Sequence, residues 1–131
     1  MTDDERNTIV KLQIERAEKF LCQADEMLET KHFDLAANRY YYSCFHAIQA
    51  LFINDGISSH THKGLHQTLG KNYVLTGKFD ARLASILRTM EQLREKADYN
   101  CSYDISEIEV DEMKSPSHEI VENVKGIVGL T

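Results

Sequence analysis

A single proline, Pro116, and six glycines are the only strong helix breakers in 131 residues. This shortage constrains the fold more than any other feature, because a chain so rarely interrupted has room for long helices. Between the breakers, apolar residues recur at helical spacing. Val10, Ile14, Ala17, Leu21, Ala24 and Leu28 lie four, three, four, three and four positions apart, which draws one stripe along a helix. Thr2-Asp-Asp-Glu5 is a capping-box pattern, so this first helix is expected from about Asp3 to Glu29. A second should run from about Phe33 to Asn54 and stop at Asp55-Gly56.

A polar loop is expected from Gly56 to His62, then a shorter helix over roughly Lys63 to Val74, with Gly70 weakening its continuity. A third long helix should cover about Asp80 to Tyr99. Ser106-Glu-Ile-Glu109 is another capping box. Pro116 suits the first turn of a fresh terminal helix with Ile120, Val121, Val124 and Ile127 facing inward; alternatively it kinks one longer helix that begins near Ser106. Period-two alternation over a strand length is absent, so the expected class is all-α. The length suits one domain, residues 1–131, large enough to bury its own core.

Charge and composition narrow the function. With 21 acids against 15 bases and a net charge of −6, the chain is no general polyanion binder, since phosphate affinity comes largely from Lys and Arg. No apolar run approaches a membrane span, and the acidic opening MTDDERNTIV is unlike a signal peptide, so the expected location is cytoplasmic. Cys22, Cys44 and Cys101 are odd in number and widely spaced, which suits small buried residues better than disulfides or a metal cluster. Between Asp55 and Asp80 no acid occurs, while Lys63, Lys71, Lys78, His60, His62 and His66 do. That stretch is either an ordinary loop or an RNA-facing surface. His60, His62 and His66 lack nearby acids or cysteines, and no metal site is expected there.

Two helices carry polar residues where the pattern asks for apolar ones. On the second, Ala37, Tyr40, Tyr41, Cys44, Ile48, Leu51 and Phe52 form a broad apolar face. Opposite it stand Arg39 and His46, within about 20° of each other because seven residues are nearly two turns. Leu35, Tyr42 and Ile53 share their side. A helix apolar nearly all round is buried on both sides, at the centre of a bundle or in an oligomer interface. Tyr42, Arg39 and His46 are then expected to face a partner or a cleft. On the third long helix, Leu83, Ile86, Leu87, Met90, Ala97 and Cys101 form the stripe, Arg94 falls in its middle, and Asp98 follows one turn on. A charge on a buried face is costly unless paired, so Arg94 is either a structural clamp on Asp98 or a site residue.

The residues DLAANRYYYSCFHAIQALFINDGISSHTHKG, followed by VLTGKFD and LREKADY, resemble the bacterial and archaeal branch of the HEPN domain family. The resemblance runs from about Phe33 to Tyr103 through A-x-x-R-x-Y-Y, F-H-A, G followed by S-H, and R-x-x-A-D-Y in that order. It implies an antiparallel up-and-down bundle of four to five helices, usually homodimeric. Many members are RNA-cleaving toxins paired with a minimal nucleotidyltransferase antitoxin; others bind nucleotides or RNA. Active members carry Arg, four to six residues, then His, often with Tyr two beyond, and cleave without metal. Carried over, Arg94 matches the arginine, but after four intervening residues Tyr99 stands where histidine would be, and Asp98 is the nearest ionisable group. Arg39 and His46 meet the spacing on a different helix.

Three readings follow from the resemblance. In a non-catalytic homodimeric module that binds a nucleotide, RNA or a nucleotidyltransferase partner, Arg94 is a phosphate ligand or clamps Asp98. In a ribonuclease toxin, Arg94 stabilises the phosphorane while Asp98, Tyr99 or His46 moves protons. In a structural dimer the polar residues only specify packing. No cofactor, DNA or membrane partner is implied.

Overall fold

The computed structural model describes residues 1–130. Within them the chain is built of helices: α1 Asp3–Glu29, α2 Phe33–Asn54, α3 His62–Thr68 with a π-helical continuation Leu69–Val74, α4 Ala81–Tyr99 and α5 Glu107–Val128. No strand is present among the described residues. Both capping boxes close as the sequence implies. Thr2 Oγ1 accepts from the Glu5 amide while the Glu5 carboxylate accepts from the Thr2 amide, and Ser106 and Glu109 repeat the exchange at the start of α5.

The turn between α1 and α2 is tight, with Lys31 in the left-handed region at φ 65°. Helix α2 stops where Gly56 takes φ 74°. The amides of Gly56 and Ile57 reach back to the carbonyls of Ile53 and Phe52 there, satisfying helix-end acceptors that a bulkier residue in this conformation would strain.

Helix α2 is the centre of the bundle, packed against α1, α4 and α5. All seven residues of its expected apolar face are buried. Ala17 and Ala24 of α1 and Ala36, Ala37 and Ala47 of α2 are fully enclosed, and their small size lets the two helices approach closely. Leu83, Leu87 and Met90 close the core from α4, and Val110, Met113, Ile120, Val121 and Val124 from α5. Each large aliphatic side chain so buried contributes about 1.5–3 kcal/mol.

Four expectations need correction. Pro116 lies inside α5, not at the start of a fresh helix, so the longer helix from Ser106 is the one that forms. Ile127 does not face inward; it is 46% exposed. Of the three cysteines only Cys44 is buried, because Cys22 lies on the outer side of α1 and Cys101 falls beyond the end of α4. Tyr42 parts from Arg39 and His46 and turns toward Arg94, as described next.

Candidate functional site

The polar residues of α2 divide between two neighbours. Arg39 and His46 face α1. The Arg39 guanidinium lies 4.8 Å from the centre of the Phe20 ring and donates to Gln23 Oε1 at 3.0 Å and Asn38 Oδ1 at 2.9 Å. His46 Nδ1 is 2.8 Å from Gln13 Oε1, and its ring meets Phe20 edge-on at 5.4 Å. Burial, helped by the nearby Arg16 charge, holds the His46 imidazole below its ordinary pKa.

Arg94 faces the other way, into the corner between α2, α3 and α4. Its guanidinium sits 5.3 Å from the ring centres of both Tyr41 and Tyr42. One donor bonds Asp98 Oδ2 at 3.2 Å, while the buried Nε–H has no partner. Burial opposes the charge, yet the Asp98 carboxylate and the two tyrosines raise its pKa above the ordinary arginine value. A fixed cation, 6% exposed, is thus held on two aromatic faces with most of its five donors unused by the protein.

Around it stand groups from α3 and α4. Tyr41 Oη and His62 Nδ1 are 2.8 Å apart, and the His62 ring packs on Phe45 at 5.0 Å and near Tyr42 at 5.9 Å. Burial, reinforced by the Glu91 carboxylate, pushes the Tyr41 phenol far above its usual range. His66 Nε2 lies 2.6 Å from Glu91 Oε2. Burial pulls the His66 pKa down, and Glu91 only partly offsets this.

The structure therefore joins Arg94 with Asp98 and separates both from Arg39 and His46. Tyr99 is 77% exposed. His62, His66 and Glu91 belong to the Arg94 corner although no charge or spacing rule joined them to it. The one available signal was the spacing of His62 and His66, which puts both on one face of α3. Among the described residues no group of three or more potential ligands is arranged for a metal ion.

A family model for the HEPN domain matches residues 10–127. The chain belongs to the HEPN family. Its relatives agree with this. A protein named "Putative toxin MJ0142" from Methanocaldococcus jannaschii is 27% identical over 112 residues, covering 86% of this chain and 76% of that one. A Thermotoga maritima protein named "UPF0332 protein" is 29% identical over 96 residues, 73% of each chain. A second Methanocaldococcus jannaschii protein, "Putative toxin MJ0605", is 33% identical over 86 residues, 66% of this chain and 64% of the other. The all-α bundle is thus a HEPN bundle, and no helix among its described residues is long and apolar enough to cross a membrane.

Proposed function

We propose that this HEPN chain is a homodimeric module that binds RNA or a nucleotide, with Arg94 as its phosphate ligand and a nucleotidyltransferase as its protein partner. The observation that carries this reading is the state of Arg94, a charged fork fixed on Tyr41 and Tyr42 with a single side-chain bond to Asp98. A guanidinium suits phosphate because it presents several donors in one plane. A pure clamp would use more of them. Binding of a labelled oligoribonucleotide, followed by fluorescence anisotropy, tests the assignment. Arg94→Ala should remain folded and lose at least about tenfold in affinity, roughly 1.4 kcal/mol. A folded variant with unchanged affinity would exclude Arg94 as the ligand.

A second reading, a metal-independent ribonuclease toxin, draws on two observations: relatives named as toxins, and His62 sharing the rings of Tyr41 and Tyr42 with Arg94. In that reaction a 2′-hydroxyl attacks the adjacent phosphate and the 5′-oxygen leaves. Arg94 stabilises the charge that develops, and His62, in the place of the absent family histidine, moves the proton. Total RNA incubated in chelator separates the two readings. Cleavage by the wild type but not by folded Arg39→Ala/Arg94→Ala or His62→Ala protein supports the toxin. Intact RNA throughout supports the binding module.

A further inference from the structure

Helices α4 and α5 are tied together at two points and stand apart between them. Arg82 meets Glu119 at 2.7 Å at one end. At the other, the Tyr103 hydroxyl donates to Glu109 at 2.6 Å, and the Lys96 ammonium lies 4.3 Å from the centre of the Tyr103 ring. Between these ties is a groove of about 240 Å³, walled by Ile86, Thr89 and Leu93 of α4. Met90 and Met113 are its buried floor, and methionine adapts its shape to whatever is placed against it. A cavity of about 150 Å³ already takes a benzene ring. This groove therefore has room for one branched side chain. At its rim the exposed Glu112 carboxylate makes no ion pair among the described residues.

A matching shape projects elsewhere on the surface. Leu75 is 82% exposed, more than any other large apolar side chain among the described residues. It follows the π-helical continuation of α3, where its amide donates to the Gly70 carbonyl at 3.0 Å. The amides of Gly77 and Lys78 return to the carbonyls of Val74 and Tyr73, with Gly77 at φ 76° closing the turn. The turn is thus held by its own backbone, and Leu75 stands on an ordered base, which lowers the entropy cost of burying it. Lys71 lies one helical turn before Leu75 and Lys78 three residues after it. Neither makes an ion pair among the described residues. The Asp55 carboxylate near them accepts from the Tyr73 hydroxyl at 2.6 Å.

The two features lie on different sides of one chain. Ala84, Ser85 and Arg88 of α4 face the segment that ends at Leu75, whereas Ile86, Thr89 and Leu93 face α5, roughly 130° round the helix. We propose that the α4–α5 groove receives Leu75 of a second copy of this chain, with Lys71 and Lys78 of that copy beside Glu112. Leucine supplies the buried anchor, and the opposite charges set partner and register. Because anchor and groove are separate surfaces, the contact is head-to-tail: a chain that fills its neighbour's groove leaves its own open to the next. It is therefore different from a symmetric dimer contact and adds to one. One anchor buries far less than the roughly 1,200–2,000 Å² of a stable interface, so the contact is weak and forms at high chain concentration.

Sedimentation equilibrium of the full chain without nucleic acid, up to about 1 mM, reads this contact. The average mass of the wild type should keep rising with concentration, past that of a dimer. Leu75→Ser removes the anchor and Thr89→Trp blocks the groove. Both positions are exposed, so melting temperatures should hold while each variant stops at its basal species, monomer or symmetric dimer. An equimolar mixture of the two should associate again, since an intact Leu75 on one chain meets an intact groove on the other. Exchange of surface charge tests the contact without altering packing. Glu112→Lys and Lys78→Glu should each weaken association at least about fivefold, and both together in one chain should restore it.

A wild-type mass that stays constant up to about 1 mM overturns the proposal. So does association that survives Leu75→Ser, or a mixture no heavier than its parts. RNA does not enter the measurement, so either result leaves the Arg94 reading to be decided by its own experiment.

Discussion

Arg94 shows how a residue that breaks a helical pattern is accommodated. Its charge stays on the buried face because two tyrosine rings and Asp98 replace water around it. Lysine would keep the charge but not the planar fork that stacks on both rings. Arg94→Lys should therefore fold, melt a few degrees lower and bind RNA about tenfold more weakly, as denaturation scans and anisotropy would show. His46 and His66 contribute differently. Burial is the main cause that lowers both pKa values from the ordinary 6.5. The folded state thus favours the neutral rings, and the unfolded chain takes up protons first as pH falls. Their contribution is fully present above pH 6.5 and is lost as pH drops through the folded values. Melting temperature should fall between pH 7.5 and pH 5.5, and His46→Gln/His66→Gln should reduce that fall; an equal slope in the double variant would contradict the account.

At the scale of the helix, caps matter because the first amides of each helix have no partner within it. Ser106 closes α5, and Glu109 accepts both from its amide at 3.0 Å and from the Tyr103 hydroxyl at 2.6 Å. The Tyr103 bond, then the Ser106 amide, holds the Glu109 carboxyl below its ordinary pKa, while the bond to Glu109 pushes the Tyr103 phenol up to about 12. Ser106→Ala removes the acceptor for the Glu109 amide and should cost about 1 kcal/mol, or about 4 °C in melting temperature. No change on thermal denaturation would mean that the Tyr103–Glu109 bond holds the helix start alone. Pro116 illustrates the opposite case. It lacks an N–H, yet α5 continues through it because Ser117, Ile120, Val121 and Val124 beyond it are buried against the bundle. Tertiary burial outweighs a local break.

Across the whole molecule, polar atoms stitch the helices together wherever the core cannot be purely apolar. Tyr40 donates to Asp25 at 2.5 Å, and His118 meets the other oxygen of that carboxylate at 2.8 Å, which ties α2 and α5 to α1. Tyr73 donates to Asp55 at 2.6 Å, and Ser43 to the Ala17 carbonyl at 2.6 Å. The cysteines report on the same packing. Burial pushes the Cys44 thiol up to about 12, despite its contact with the Ser117 carbonyl, while Cys22 and Cys101 are exposed. A thiol reagent should consume two equivalents per native chain and the third only on unfolding. Rapid reaction of all three in native buffer would contradict the packed core around α2.

The sequence by itself determined the all-α class, the limits of α1, α2 and α4 to within a residue or so, both capping boxes and the Gly56 stop. These depend on neighbours a few positions apart, whose spacing and cap chemistry are local. It also put Arg94 and Asp98 within reach of each other, because i and i+4 share a helix face, and the bond between them is seen in the structure. Only the tertiary structure decided which way each polar residue turned. Tyr42 and Arg39 lie three positions apart on α2, yet one meets Arg94 of α4 and the other Phe20 of α1. His62 and His66 were separated from Arg94 by about thirty positions of sequence, and only the packing of α3 between α2 and α4 brings them to one corner. The course of the chain through Pro116 was decided in the same way. Local spacing fixes the face a residue occupies; which helix covers that face depends on the packing of the whole core, and no short-range pattern encodes it.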